Sequence, residues 1–276
     1  MEVDRIFITG DTHGDFKRIR DVSEKLNTTK EDVLIILGDC GFNYFFNERD
    51  NQLKNKIAKY PITIFAIRGN HEARPQEMSG KWHYEKFFGN RVIVEDNYPN
   101  IKYALDGYDY YIPYYKYYNE DGSTCYEYYH SFVIGGAYSV DKYYRINNGW
   151  SWFENEQLNE KEQNEIKDYL NWLYNNHDNI EIYLTHTCPC IYEPTDLFLP
   201  QIDQSMVDKS MERFLGEIEF RYSYRAWFWG HYHANRNYPL TEDGCQRLML
   251  FDGVINLEEY MDTGIYNNLL ENKESK

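Results

Sequence analysis

Five short segments of this chain carry side chains able to hold metal ions: Asp11-Thr12-His13, Gly38-Asp39, Gly69-Asn70-His71-Glu72, Thr185-His186 and Gly230-His231-Tyr232-His233. Any one of these histidines, taken alone, reads as a solvated or core imidazole. Together, imidazoles, carboxylates and one amide oxygen form a mixed nitrogen and oxygen donor set suited to hard-to-borderline divalent cations. Asp11 and His13 lie two apart, and alternate residues of extended backbone project the same way, so both can reach one ion. Asp39 offers two oxygens and can bridge two ions roughly 3.5–4 Å apart. The ligands then divide into Asp11, His13, Asp39 and His233 for one ion, and Asp39, Asn70, His186 and His231 for the other.

Two divalent ions lower the pKa of a shared water from about 15.7 towards ~7, which supplies hydroxide at neutral pH, and they offset the charge of phosphoryl oxygens. In-line displacement also needs an acid for the departing alkoxide. His71 adjoins Asn70 but is assigned to neither ion, so it is the expected proton donor, with Asp39 the other residue at the reacting centre. Arg68 and Arg145, with Asn70, are the candidates to hold the non-reacting phosphate oxygens. Arg145 ranks first, beside Asp141 and Tyr143-Tyr144 in the region expected to rim the cleft. Arg74 is expected in a surface salt bridge and Glu72 in fixing its loop, whereas His83, His130 and His177 belong to none of the five segments.

Four of the five segments follow an apolar run: residues 6–8, 33–37, 62–67 and 180–184; the fifth follows the aromatic run 226–229. Such runs read as buried strands, and strand ends of an open α/β sheet line up along one edge. Strand 3–9, helix 15–26, strand 33–37, helix 48–59 and strand 62–67 alternate as expected for a parallel sheet. Residues 91–94, 101–105 and 108–114 predict short strands, with Asp106-Gly107 as a hairpin turn between the last two. With the apolar stretch 131–135 they suggest a second, largely antiparallel sheet. Helices are expected at 154–176 and 203–220, with Met206, Met211, Phe214 and Ile218 on the inner side of the second. Strands are expected at 225–229 and 246–251, and a frayed tail at 271–276. The order suggests two sheets face to face with helices outside, in one domain spanning 1–276.

The formal charge of −16 argues against a stable complex with nucleic acid and against an anionic membrane, both of which favour clustered Lys and Arg. No apolar run approaches the ~18 residues of a membrane span. The amino-terminal residues lack the basic and apolar regions of a secretion signal, and the odd set Cys40, Cys125, Cys188, Cys190 and Cys245 forms no even disulfide framework. A cytoplasmic location is expected. Tyr is abundant at 28 residues, and the Tyr-rich 108–129 region is expected to pack against strand surfaces rather than to stack bases.

The ordered blocks D-x-H, G-D, G-N-H-E, H and G-H-x-H, at residues 11 to 233, resemble the calcineurin-like metallophosphoesterase superfamily. The resemblance implies an α/β fold, a four-layer αββα sandwich of two mixed β-sheets flanked by helices. It also implies a dimetal centre and hydrolysis of phosphomonoesters or phosphodiesters. Manganese is the first choice of metal, with iron, zinc or magnesium also suited. The superfamily's Ser/Thr protein phosphatases carry G-D-x-x-D-R-G, but here Phe42 and Asn43 stand where the orienting Asp and the phosphate-gripping Arg would be. Gly230-His231-Tyr232-His233 is more similar to the phosphodiesterase and nuclease branches. Residues 134–141 with 150–153 are similar to uncharacterised bacterial and phage members. The expected substrate is a phosphate ester of a small molecule or nucleotide; the alternatives are a metal-dependent nuclease and a catalytically silent metal-binding scaffold.

Overall fold

The computed structural model describes residues 3–77, 80–119, 121, 123–240 and 244–271. From the amino terminus run β1 (Ile6–Thr9), α1 (Lys17–Lys25), β2 (Val33–Ile36), α2 (Glu48–Ile57), β3 (Thr63–Ala66), β4 (Trp82–Phe87), β5 (Asn90–Glu95) and β6 (Ile101–Tyr103). There follow β7 (Tyr108–Tyr118), β8 (Thr124–Ile134), α3 (Lys142–Asn147), α4 (Glu160–Asn175), β9 (Ile182–Thr185), α5 (Ser210–Arg221) and β10 (Ala226–Trp229). The last elements are β11 (Arg236–Tyr238), β12 (Gln246–Met249), β13 (Val254–Asn256) and α6 (Leu257–Thr263).

The strands form two mixed sheets, ordered β13-β1-β2-β3-β6-β5-β4 and β11-β12-β10-β9-β8-β7. Period-two alternation within the apolar runs explains why both faces of the central strands are dry. Ile8, Val33, Ile35 and Phe65 of the first sheet meet Val133, Ile182, Leu184 and Phe228 of the second in a shared central core. The intervening Phe7, Leu34, Ile36 and Ile64 face outward, against Ile19 and Val22 of α1 and Ile57 of α2. On the far side Phe132, Tyr183, Trp227 and Trp229 pack against Leu170 and Leu173 of α4 and Phe214, Leu215 and Ile218 of α5. Helix, sheet, sheet and helix therefore stack as four layers. Each fully buried Ile, Leu or Phe contributes roughly 1.5–3 kcal/mol. The amino end of α4 is secured by reciprocal bonds between Asn159 and Glu162.

Several local expectations fail for identifiable reasons. Asp106-Gly107 is no hairpin turn: β6 pairs parallel with β3 in the first sheet, while β7 belongs to the second. Asp106 is instead held by the Arg68 guanidinium at 2.7 Å and the Gly135 amide at 2.7 Å, which anchor the chain where it crosses between sheets. Nor is the second sheet largely antiparallel, because β8/β9, β9/β10 and β10/β12 all pair parallel. Helix α4 starts at Glu160 rather than 154, and α5 at Ser210 rather than 203. Before α5, Asp203 caps a single short turn and Met206 is 71% exposed, not inner. Beyond Glu271, the expected fraying of the tail lies outside the described residues. Among the described residues no helix is long and apolar enough to cross a membrane.

Candidate metal centre

Adjacent strands β1, β2 and β3 run parallel in register, so Thr9, Ile36 and Ala66 end side by side. The loops that leave them carry Asp11 and His13, then Asp39, then Asn70 and His71. In the second sheet β9 and β10 are likewise parallel, with Leu184 opposite Phe228, and lead into His186, His231 and His233. Face-to-face packing brings the two sets of loops together at one rim. The backbone there is bent into uncommon conformations. Of eight described non-glycine residues with positive φ, four belong to the site: His13, Asp39, His231 and His233. Such conformations persist where surrounding contacts over-determine them, and they cluster at functional sites. Gly38, at φ 96°, lies so close that a Cβ there would overlap the His186 ring.

Asp11, His13 and His233 form one cluster. The Asp11 Oδ2 atom lies 3.7 Å from His13 Nε2 and 3.4 Å from His233 Nε2. It is buried and accepts no hydrogen bond, while its partner Oδ1 accepts from the His231 amide at 3.0 Å. His13 Nε2 and His233 Nε2 are 2.9 Å apart, and His13 Nε2 is 3.8 Å from Asp39 Oδ2. Burial would raise the Asp11 pKa, but His233, His186 and His13 outweigh it and hold the carboxyl ionised.

In the second cluster, hydrogen bonds to neighbouring groups orient the ligand atoms. His186 Nδ1 is 2.7 Å from the Leu37 carbonyl, to which it donates, and this bond turns Nε2 towards the site. Ser139 donates to Glu156 at 2.5 Å and accepts from Asn70 Nδ2 at 2.8 Å, which turns Asn70 Oδ1 the other way. That oxygen faces His186 Nε2 at 2.7 Å, so a proton or a cation can join the two atoms. Asp39 Oδ1 is 3.7 Å from the same nitrogen. The His231 ring lies 5.0 Å from the His186 ring, and burial pushes its pKa down to about 3, so it stays a neutral imidazole. These residues fit a pair of divalent ions, with Asp39 reaching both clusters.

His71 lies between this centre and a charged relay. Its amide donates to Asp39 Oδ1 at 2.7 Å, and its ring Nδ1 is 3.3 Å from Asp39 Oδ2. Arg145 Nη2 stands 3.2 Å from the same nitrogen, and Asp141 Oδ1 is 3.6 Å from Nε2. Burial lowers the His71 pKa, but Asp39 and Asp141 together overcome that and the opposing Arg145, so the net shift is upward. Arg145 is itself held by Asp141 at 2.7 Å and the Tyr44 hydroxyl at 2.9 Å.

Asp141 is the residue that sequence reasoning missed in this role. The local motif puts Phe42 in the orienting position, and Phe42 is core, stacked on Phe16 at 5.5 Å. The carboxylate beside His71 comes from a different loop; its only sequence signal is the four-residue spacing to Arg145. Asn43, in the other departing position, is buried and accepts from Lys54 at 3.0 Å.

Arg68 does not join the cleft. Its buried guanidinium donates to Asp106, to the Glu156 carbonyl at 2.8 Å and to the Gly135 carbonyl at 3.2 Å, which leaves it a structural clamp. Arg74 pairs with Glu162, and Glu72 accepts from the Gly69 amide at 2.9 Å, holding the loop. His130 lies away from the site, 2.9 Å from Asp109. A cavity of about 510 Å³ opens directly onto Asp39, Asn70, His71, His231 and His233. A smaller one of about 220 Å³ is lined by His13, His71, Arg145, Tyr44 and Arg49.

Comparison with known proteins adds to this geometry. The sequence profile described as calcineurin-like phosphoesterase matches residues 4–235. Curated protein sequences give no match. Among solved structures, TT1561 of Thermus thermophilus is similar at 12% identity and TM-score 0.48, covering 93% of this chain and 96% of that one. GAP50, titled the anchor in the inner membrane complex of Plasmodium, is similar at 12% identity and TM-score 0.47, covering 90% and 71%. The profile spans most of the chain and all five ligand-bearing segments, and the chain belongs to the calcineurin-like phosphoesterase family.

Proposed function

We propose that this protein is a dimetal phosphoesterase that hydrolyses a phosphomonoester or phosphodiester of a small molecule or nucleotide. The observation that carries the reading is the convergence of His186 Nε2 and Asn70 Oδ1, 2.7 Å apart, beside the carboxylate of Asp39. Asp11, His13, Asp39 and His233 would hold one ion, and Asp39, Asn70, His186 and His231 the other. Bound there, two divalent ions supply a water of lowered pKa and offset phosphoryl charge. Manganese is the first choice of metal, with iron, zinc and magnesium also compatible with the mixed donor set.

The chain's own residues do the rest. His71, its pKa raised by Asp39 and Asp141, is the group to deliver a proton to the departing alkoxide. Asp141 and Arg145 hold the ring between them, and Arg145 also presents cationic charge to the phosphate oxygens. Asp39 steadies the loop through the His71 amide. The five free cysteines support a reducing, cytoplasmic setting for the enzyme.

The test is direct. Protein stripped by a chelator is expected to lose turnover of 4-nitrophenyl phosphate and bis(4-nitrophenyl) phosphate, and Mn²⁺ to restore at least one. Failure of every divalent ion to restore either substrate removes the proposal.

A further inference from the structure

The large cavity at the metal centre has two unlike walls. One is the cluster of carboxylates and imidazoles. The other is built by the segment between β9 and α5, where Leu197, Phe198, Leu199 and Ile202 line the space, with Val140 and Tyr232 completing it. The Phe198 and Tyr232 rings lie stacked at 6.4 Å and 25°. Leu197, Leu199 and Val140 are 40%, 52% and 43% exposed, so large apolar side chains stand open to water at the mouth of the site. A contiguous apolar surface in a concave site marks a place where something apolar binds.

Charge in this limb points the same way. Asp141, Glu193 and Glu212 border it, Asp141 already paired with Arg145, and among the described residues no Lys or Arg lines it. Lys209, over the Phe198 ring at 4.7 Å, is paired with Glu193 at 2.8 Å. A second phosphate or a nucleic-acid backbone would meet acidic and apolar groups there, with no partner for its charge. The volume of about 510 Å³ is ample for an aromatic ring or a chain of several carbons.

We infer that this limb is the subsite for the alcohol portion of the ester, and that the substrate class is a phosphate ester of an apolar alcohol, aromatic or alkyl, rather than a polyphosphate or an oligonucleotide. This rests on the phosphoesterase reading above and narrows it.

The experiment separates the two. Methyl-, butyl- and octylphosphonate, which cannot be hydrolysed, are titrated calorimetrically into the Mn²⁺-loaded protein, with 2-carboxyethylphosphonate as an anionic comparison. Each buried methylene is worth up to about fourfold in affinity, so butylphosphonate is expected to bind at least about tenfold tighter than methylphosphonate and than the carboxylate analogue. Leu197→Asp and Phe198→Ala, made separately so that a folding defect in one does not decide the matter, are expected to flatten that dependence. Equal affinities across the series, an absence of binding, or preference for the anionic analogue would overturn the inference. Turnover of 4-nitrophenyl phosphate and of the matching 4-nitrophenyl alkyl diesters is measured in parallel. If none is turned over while the chain-length dependence of binding persists, the phosphoesterase reading fails and the apolar subsite stands.

Discussion

The Nε2 atoms of His13 and His233 face each other at 2.9 Å across 220 positions of sequence, beside the unpartnered Oδ2 of Asp11. In the free chain a proton on one imidazole can link this cluster, and a divalent cation that replaced it would engage all three atoms with more charge. Metal binding is therefore expected to stabilise the fold. Ligand at about 100 times its Kd adds roughly 2.7 kcal/mol, equivalent to about 5 °C in Tm for a chain of this size. Scanning calorimetry of chelated and Mn²⁺-loaded protein measures this, and metal analysis of His13→Ala and His233→Ala should show one ion weakened or lost. Identical melting with and without metal would count against the site.

Gly38 tests the close approach of the two sheets' loops. It sits at φ 96°, and a Cβ would run into the imidazole of His186. Gly149 has a comparable φ of 67° but nothing near its would-be Cβ within 4 Å. Left-handed backbone costs a residue with a side chain roughly 1–2 kcal/mol, so Gly149→Ala should cost about that much. Gly38→Ala should cost at least about 1 kcal/mol more and should also weaken metal binding, because the ring must move. Urea unfolding of the metal-free variants provides the comparison, and equal costs would show that His186 is free to shift.

The strands that carry the ligands were legible because they are buried on both faces. Ile6, Phe7 and Ile8, or Val33 to Ile36, form runs with no polar interruption, and each run ends in a ligand. What was not legible depends on contacts remote in sequence. Nothing local says that Arg68 turns towards Asp106 and away from the cleft, or that Asp106-Gly107 crosses between sheets. Short strands such as β11 and β13 carry too few residues for a period to register, and β4 reads as polar because most of its side chains are exposed or only partly buried. The partner of His71 was hidden for a related reason: the expected position holds Phe42, and Asp141 arrives from a loop about a hundred residues later.

That partnership predicts a graded pair of variants. Removing a general acid lowers turnover by about 10²–10⁴-fold, which is the expectation for His71→Ala in kcat on a substrate with a poor leaving group. Asp141→Asn keeps the ring in place but removes the carboxylate that helps to raise its pKa. The proton donor is then lost at lower pH, so the alkaline limb of the kcat profile should move towards acid, with a loss smaller than that of His71→Ala. An unshifted limb would mean that Asp141 supports the loop and not the imidazole.

Glu212 makes a prediction about stability that involves no ligand residue. It is buried on α5 and accepts from the Thr187 hydroxyl at 2.6 Å. Burial pushes its pKa up from 4.5 to about 7, against the lowering effect of the Thr187 bond. The folded state therefore holds the proton more tightly than the unfolded chain. This contribution to stability is full below pH 4.5, declines as pH rises towards 7 and is gone above it. Across that window the loss is on the order of 3 kcal/mol. Glu212→Gln has no proton to lose, so its stability relative to the parent should rise from pH 5 to pH 8 by up to that amount. Urea unfolding at the two pH values measures the difference, and a variant that tracks the parent at both would show that the Glu212 carboxylate is solvated well enough to ionise in place.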